Sequence, residues 1–84
     1  MPPTNLEKLT ALKKAYLTVF NSESGKKVLA DLELRSYFHT TTFNDNPQRL
    51  AFNEGKRAMF LNIKSMMLLD IELIKKLQEA ESEK

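Results

Sequence analysis

Eighty-four residues with a formal net charge of +2 suffice for one domain and leave no room for a second core. The 13 lysines and arginines lie in small groups such as Lys13-Lys14, Lys26-Lys27, Lys56-Arg57 and Lys75-Lys76, interleaved with 11 acidic residues. That is a solvated surface rather than a nucleic-acid footprint, and with no cysteine and one histidine, His39, disulfides and a typical zinc site are excluded.

The N-terminus, Met-Pro-Pro-Thr-Asn-Leu-Glu-Lys-Leu, lacks the basic start and apolar run of a signal peptide, and its two prolines discourage helix. Thr4 or Asn5 is placed to cap a first helix, with Glu7 in the first turn where the helix dipole favours a carboxylate. Leu6, Leu9, Leu12, Tyr16, Val19 and Phe20 recur at spacings of three and four, so an amphipathic helix is predicted over about 5–21. Asn21-Ser22-Glu23-Ser24-Gly25 is a turn rich in residues that bond their own backbone. Ser22 or Ser24 then caps a second helix over about 23–38, with Val28, Leu29, Leu32 and Phe38 on its inner face.

Three successive threonines, Thr40 to Thr42, are stiff at χ1 and poor helix formers, so a loop is predicted there, with Phe43 as a plug against the core. Asn46-Pro47 restarts helix, the asparagine as cap and the proline at the first helical position. From there to about residue 79 only Gly55 interrupts the helix-forming run. A third helix over 46–79 is expected, reaching ~48 Å at 1.5 Å per residue. The last residues, 80–84, and the lead, 1–4, are expected to be flexible.

On that long helix, a rotation of 100° per residue gathers Phe52, Met59, Phe60, Ile63, Met66, Met67, Ile74 and Leu77 on one broad face. Leu50, Leu61 and Leu68 point nearly the opposite way. An ordinary surface helix has one apolar stripe, and two helices of half its length cannot wrap it. Leu50, Leu61 and Leu68 are therefore the expected contacts with another chain, and Met66 and Met67 are further candidates, since methionine makes an adaptable surface. The plainer reading of the methionines is core. Asp70 interrupts the stripe; either it is solvent-exposed or a lysine or arginine answers it, because an unpaired buried carboxylate is too costly.

Gly55 costs about 1 kcal/mol relative to alanine inside a helix. Its position beside Phe52 and Met59 suggests close approach, most simply of one of this chain's own helices. Gly25-Lys26-Lys27 and Gly55-Lys56-Arg57 are not phosphate-binding loops, lacking the earlier glycine and the following Ser or Thr. Arg49, Lys56, Arg57 and Lys64 could line a groove for a phosphate backbone, but Glu54 and Glu72 share that side. His39, with Asp31, Asp45 and Glu54 in the sequence, has no nucleophile placed by any motif and reads as a surface histidine. The Ala58–Ile74 run is broken by Asn62, Lys64 and Asp70 and is no membrane span.

Two segments carry a resemblance. The first is Val19-Phe20-Asn21-Ser22-Glu23-Ser24-Gly25 running into Val28-Leu29-Ala30-Asp31-Leu32; the second is Phe43 to Pro47, then Ala51-Phe52-Asn53-Glu54-Gly55-Lys56-Arg57 and Ile63. Together they resemble a family of small tailed-bacteriophage proteins typified by a Bordetella phage protein, over about Tyr16 to Ile63. The Glu-Gly-Lys-Arg element is its most specific part, and Asn46 departs from an aspartate expected before the proline. The resemblance implies a product of virion and assembly genes, with no catalytic residue or cofactor to carry over.

The expected molecule is thus a single all-α domain of three helices, the two shorter ones packed on the long third. It is expected to be a non-enzymatic structural or virion-assembly protein, made in the host cytoplasm and carried in the virion if it is a structural part. Its expected partners are its own copies or a larger virion protein, with no membrane, cofactor or small-molecule substrate. A nucleic-acid-associated packaging or regulatory factor is the alternative, followed by an inhibitor of a host protein.

Overall fold

The computed structural model describes residues 4–82, and among them it contains four helices and no strand: α1 (Asn5–Phe20), α2 (Glu23–Arg35), α3 (Pro47–Met67) and α4 (Ile71–Ser82). Each of the first three begins on a side chain that satisfies orphan N–H groups. Thr4 accepts from the Glu7 N–H while the Glu7 carboxylate accepts from the Thr4 N–H, a complete capping box. Ser22 accepts from the Gly25 N–H, and the Asn46 side chain accepts from Gln48 and Arg49 with Pro47 following it. Such caps contribute about 1 kcal/mol each. The expected loose ends fall partly on residues 1–3, 83 and 84, outside the described residues. Within the description, Thr4 is the α1 cap and residues 80–82 form the last turn of α4.

The corner between α1 and α2 is tight. A Cβ built on Gly25 would lie 1.6 Å from the Val19 carbonyl oxygen, and the Ser22 hydroxyl bridges the two helices, donating to that oxygen at 2.7 Å. Only a residue without a side chain fits at position 25. α2 then stops at Arg35, three residues before the expected end. Ser36 caps it, and Tyr37 adopts a left-handed conformation with φ of 60°, which in a non-glycine residue costs roughly 1–2 kcal/mol. Phe38 is released from the helix and stacks edge-to-face on Phe60, with ring centroids 5.2 Å apart. Phe60, 2% exposed, is the fully buried apolar side chain among the described residues. Phe43 is exposed; the loop is not plugged by it.

The single long third helix is not what forms. The chain leaves helix at Leu68 and re-enters it at Ile71. The cause is Asp70, whose Oδ1 accepts the Leu73 N–H at 3.0 Å and whose carbonyl accepts from Ile74. Asp70 is a helix cap, with Glu72 in the first turn of α4. Leu69 and Ile74, both half-buried, occupy the two positions that staple a helix start. Lys13 of α1 donates its ammonium to the Leu69 carbonyl, tying α1 to the joint. Asp70 itself is exposed, and no lysine or arginine is needed to answer it.

The outcome is an open assembly with extents of 51 × 35 × 22 Å. Its radius of gyration is 16.9 Å, where a compact domain of this length has about 12 Å. α1 packs on α2, α3 and α4, and α2 packs on α3.

Candidate interaction surface

The Asn53-Glu54-Gly55-Lys56-Arg57 segment holds the loop that follows α2. Asn53 is buried, and its side-chain amide donates to the Thr42 carbonyl at 3.2 Å. The Glu54 carboxylate accepts the Thr42 hydroxyl. Arg57 donates from one Nη1 to the Tyr37 and Phe38 carbonyls at 2.8 and 2.9 Å. Its guanidinium also lies 5.6 Å from the Phe38 ring centroid. The two carbonyls belong to the loop just past the Ser36 cap, and charge-assisted bonds to them offset the strain at Tyr37. Lys56 lies over the Phe52 ring at 4.7 Å and the Tyr37 ring at 5.8 Å. The most specific element of the sequence is a backbone clamp, and of the four cations considered for phosphate, Arg57 is spent inside the chain.

Arg49 and Lys56 remain exposed and Lys64 is half-buried. His39 is exposed and meets Glu33 at 2.9 Å, not Asp31, Asp45 or Glu54. Among the described residues no three His, Cys, Asp or Glu side chains converge so as to hold a metal ion, and no helix is long and apolar enough to cross a membrane.

Close packing was expected at Phe52, Gly55 and Met59, and the structure corrects this. A Cβ on Gly55 would meet nothing within 4 Å, and Phe52 and Met59 are 57% and 56% exposed. α1 and α2 border the Met59 side of α3 without closing on it. Its buried flank is the one with Asn53 and Phe60, facing the loop after α2, so the face with Gly55 is left open. The glycine of close approach is Gly25, whose signal in the sequence was its place three residues after the capping Ser22 at the end of a very short turn.

Two hollows flank Met59. One, between α1 and α3, is about 310 Å³ in volume, with Leu12, Val19 and Ile63 in its wall. The other, between α2 and α3, is about 300 Å³, with Leu32, Phe60 and Ile63. Both are apolar and open to solvent. Around α3 from them, about 160° from Met59 at 100° per residue, stands Leu61, 40% exposed, while Leu68 at the joint is 77% exposed. Leu50, Met66 and Met67 are half-buried. Leu50 and Leu61 lie within α3 and Leu68 is its C-cap, so the helix ends with this strip. The sequence thus pointed to exposed Leu61 and Leu68, while its periodicity assigned the face around Met59 to the core.

Neither curated proteins nor solved structures yield a match to this chain. A family model does, described as Bbp19-like phage protein, over residues 16–79. The match runs beyond Ile63, so the methionine-rich end of α3 and most of α4 are also part of the family pattern. Covering well over half of the 84 residues, it shows that the chain belongs to the Bbp19-like family of phage proteins.

Proposed function

We propose that this phage protein is a non-enzymatic structural or virion-assembly component that works through protein contacts made by its helices. Its contacts are with its own copies or with a larger virion protein, and its place is the host cytoplasm during assembly or the particle itself. One observation carries the reading. The accessible surface is 6821 Å², whereas a compact monomer of 9.7 kDa exposes about 5,100 Å². Large apolar side chains stand exposed, among them Leu12, Val19, Phe52, Met59, Leu61 and Leu68, and contiguous exposed apolar surface marks association sites. In this reading Leu61 and Leu68 lead the contact region, with the half-buried Leu50, Met66 and Met67 as further contacts.

The test is mass spectrometry of particles and assembly intermediates purified from an infection. Recovery of the polypeptide at a stoichiometry that survives further purification is expected. Its absence from heads, tails and their precursors would sink the assembly role. The nucleic-acid alternative has lost support, since Arg57 is held by backbone carbonyls. Steeply salt-dependent DNA retention through Arg49, Lys56 and Lys64 would revive it.

A further inference from the structure

We infer that the joint between α3 and α4 is a two-state device, with Lys13 of α1 as its latch. Latched, the chain bends at Leu68–Asp70. Released, α3 and α4 run as one straight helix, and the apolar side of α4 leaves α1. The device works within a single chain, so it stands whether or not the protein-contact reading does.

The observation that carries it is one split backbone bond. In an uninterrupted helix the Leu73 N–H would donate to the Leu69 carbonyl, four residues back. Here the two groups are held apart, and each has a side-chain substitute. The Leu73 N–H donates to Asp70 Oδ1 at 3.0 Å, and the Leu69 carbonyl accepts from the Lys13 ammonium. The bond can therefore be made or split without leaving either group unsatisfied. A joint satisfied in both arrangements has two discrete states rather than a continuous range.

The straight form is open to the sequence. No glycine or proline follows Gly55, and Leu68 and Leu69 are good helix formers. α4 is also lightly anchored: among the described residues it packs on α1 and on no other element. The half-buried Lys13 meets the first residue past the α3 cap, where the helix dipole favours a cation. The bend thus depends on α1 being in place. Whatever moves α1, or draws the Lys13 ammonium to a carboxylate of its own, shifts the population toward the rod. On release, Ile71 and Ile74, half-buried in the bent form, join the exposed Leu73 and Leu77. The face of α4 that the bend withholds is then free.

The experiment measures the distance between spin labels on the full chain at Gln48→Cys and Ala80→Cys, both exposed positions. It is made with Lys13 intact and with Lys13→Met or Lys13→Arg, beside far-UV circular dichroism of each. A straight helix places the labelled residues ~48 Å apart at 1.5 Å per residue, and the bent form brings them nearer. With Lys13 intact the chain is expected to be mostly bent. Lys13→Met keeps the apolar stem and removes the donor. It should raise the ratio of straight to bent by roughly tenfold, the worth of a hydrogen bond from a charged group, with helicity undiminished. Lys13→Arg keeps a donor and should stay bent. A distance distribution that Lys13→Met leaves unchanged would overturn the inference, as would one that Lys13→Arg shifts equally. So would distances that spread while helicity falls, because α4 would then be fraying rather than straightening. Any of these leaves the assembly role standing, since recovery from purified particles tests that role separately.

Discussion

The chain's two glycines both sit in helices, and their surroundings differ completely. Gly25 is buried in the α1–α2 corner, where the Val19 carbonyl occupies the space a Cβ would need. Gly55 lies on the open side of α3 with no atom within reach. Both residues carry the same backbone cost of about 1 kcal/mol relative to alanine. At Gly25 the fold itself explains the cost, because the corner closes only there. At Gly55 nothing inside the chain does. One glycine is explained by the chain's own packing and the other is not.

Gly25→Ala should do the greatest damage. The atom met by the new methyl is backbone, and backbone cannot swing aside as a long side chain can. The corner must open, at a cost of about 3 kcal/mol, the upper end for overpacking. A melting temperature lower by ~15 °C is expected for a domain of this length. A variant that melted with the wild type would show that α1 and α2 do not meet as described.

Arg57→Ala comes next, and it asks whether the closed region extends to the loop. Two charge-assisted bonds to the Tyr37 and Phe38 carbonyls are lost, and Tyr37 keeps its left-handed strain without its brace. Because the guanidinium is half-exposed, water replaces part of the loss, and the expected destabilisation is about 2 kcal/mol. Chemical denaturation should show a lower midpoint, and hydrogen exchange should rise across residues 36–43 before it rises in α1. Unchanged exchange in that loop would refute the clamp.

Asp70→Ala follows, with an expected loss of about 1 kcal/mol from the α4 cap. It carries a second consequence. Alanine is the best helix former, and no glycine or proline stands between Met67 and Ile71. With the cap gone, α3 and α4 are expected to populate the straight rod that periodicity alone suggests. The absence of cysteine allows clean spin labels through Lys14→Cys and Ala80→Cys, and their separation should lengthen in the Asp70→Ala background. An unchanged separation would mean that the Lys13–Leu69 tie, not the cap, holds the joint.

These three sites also mark where the fold was legible in the sequence. Helix starts were readable because caps are local: Thr4 with Glu7, Ser22 with Gly25, and Asn46 with Pro47 each lie within one turn. The joint at Leu68–Asp70 carried a local signal too, an aspartate followed by Glu72. It was masked because Leu68, Leu69, Leu73 and Ile74 keep the 3.6-residue period running across it. The early end of α2 was not readable locally, since Tyr37 takes up its strained conformation only with Arg57, twenty residues on. The exposure of Phe52 and Met59 was equally out of reach. Periodicity says which residues share a face, not which face of α3 the other helices cover.

Gly55→Ala has the smallest expected effect and separates the two regions most sharply. In the isolated chain the methyl enters open space and the helix gains its missing propensity, so stability should rise by about 1 kcal/mol. That gain should appear as a melting temperature higher by ~5 °C. A variant that melted with the wild type, or below it, would mean that some contact does reach Gly55 and that this face of α3 is not open as described.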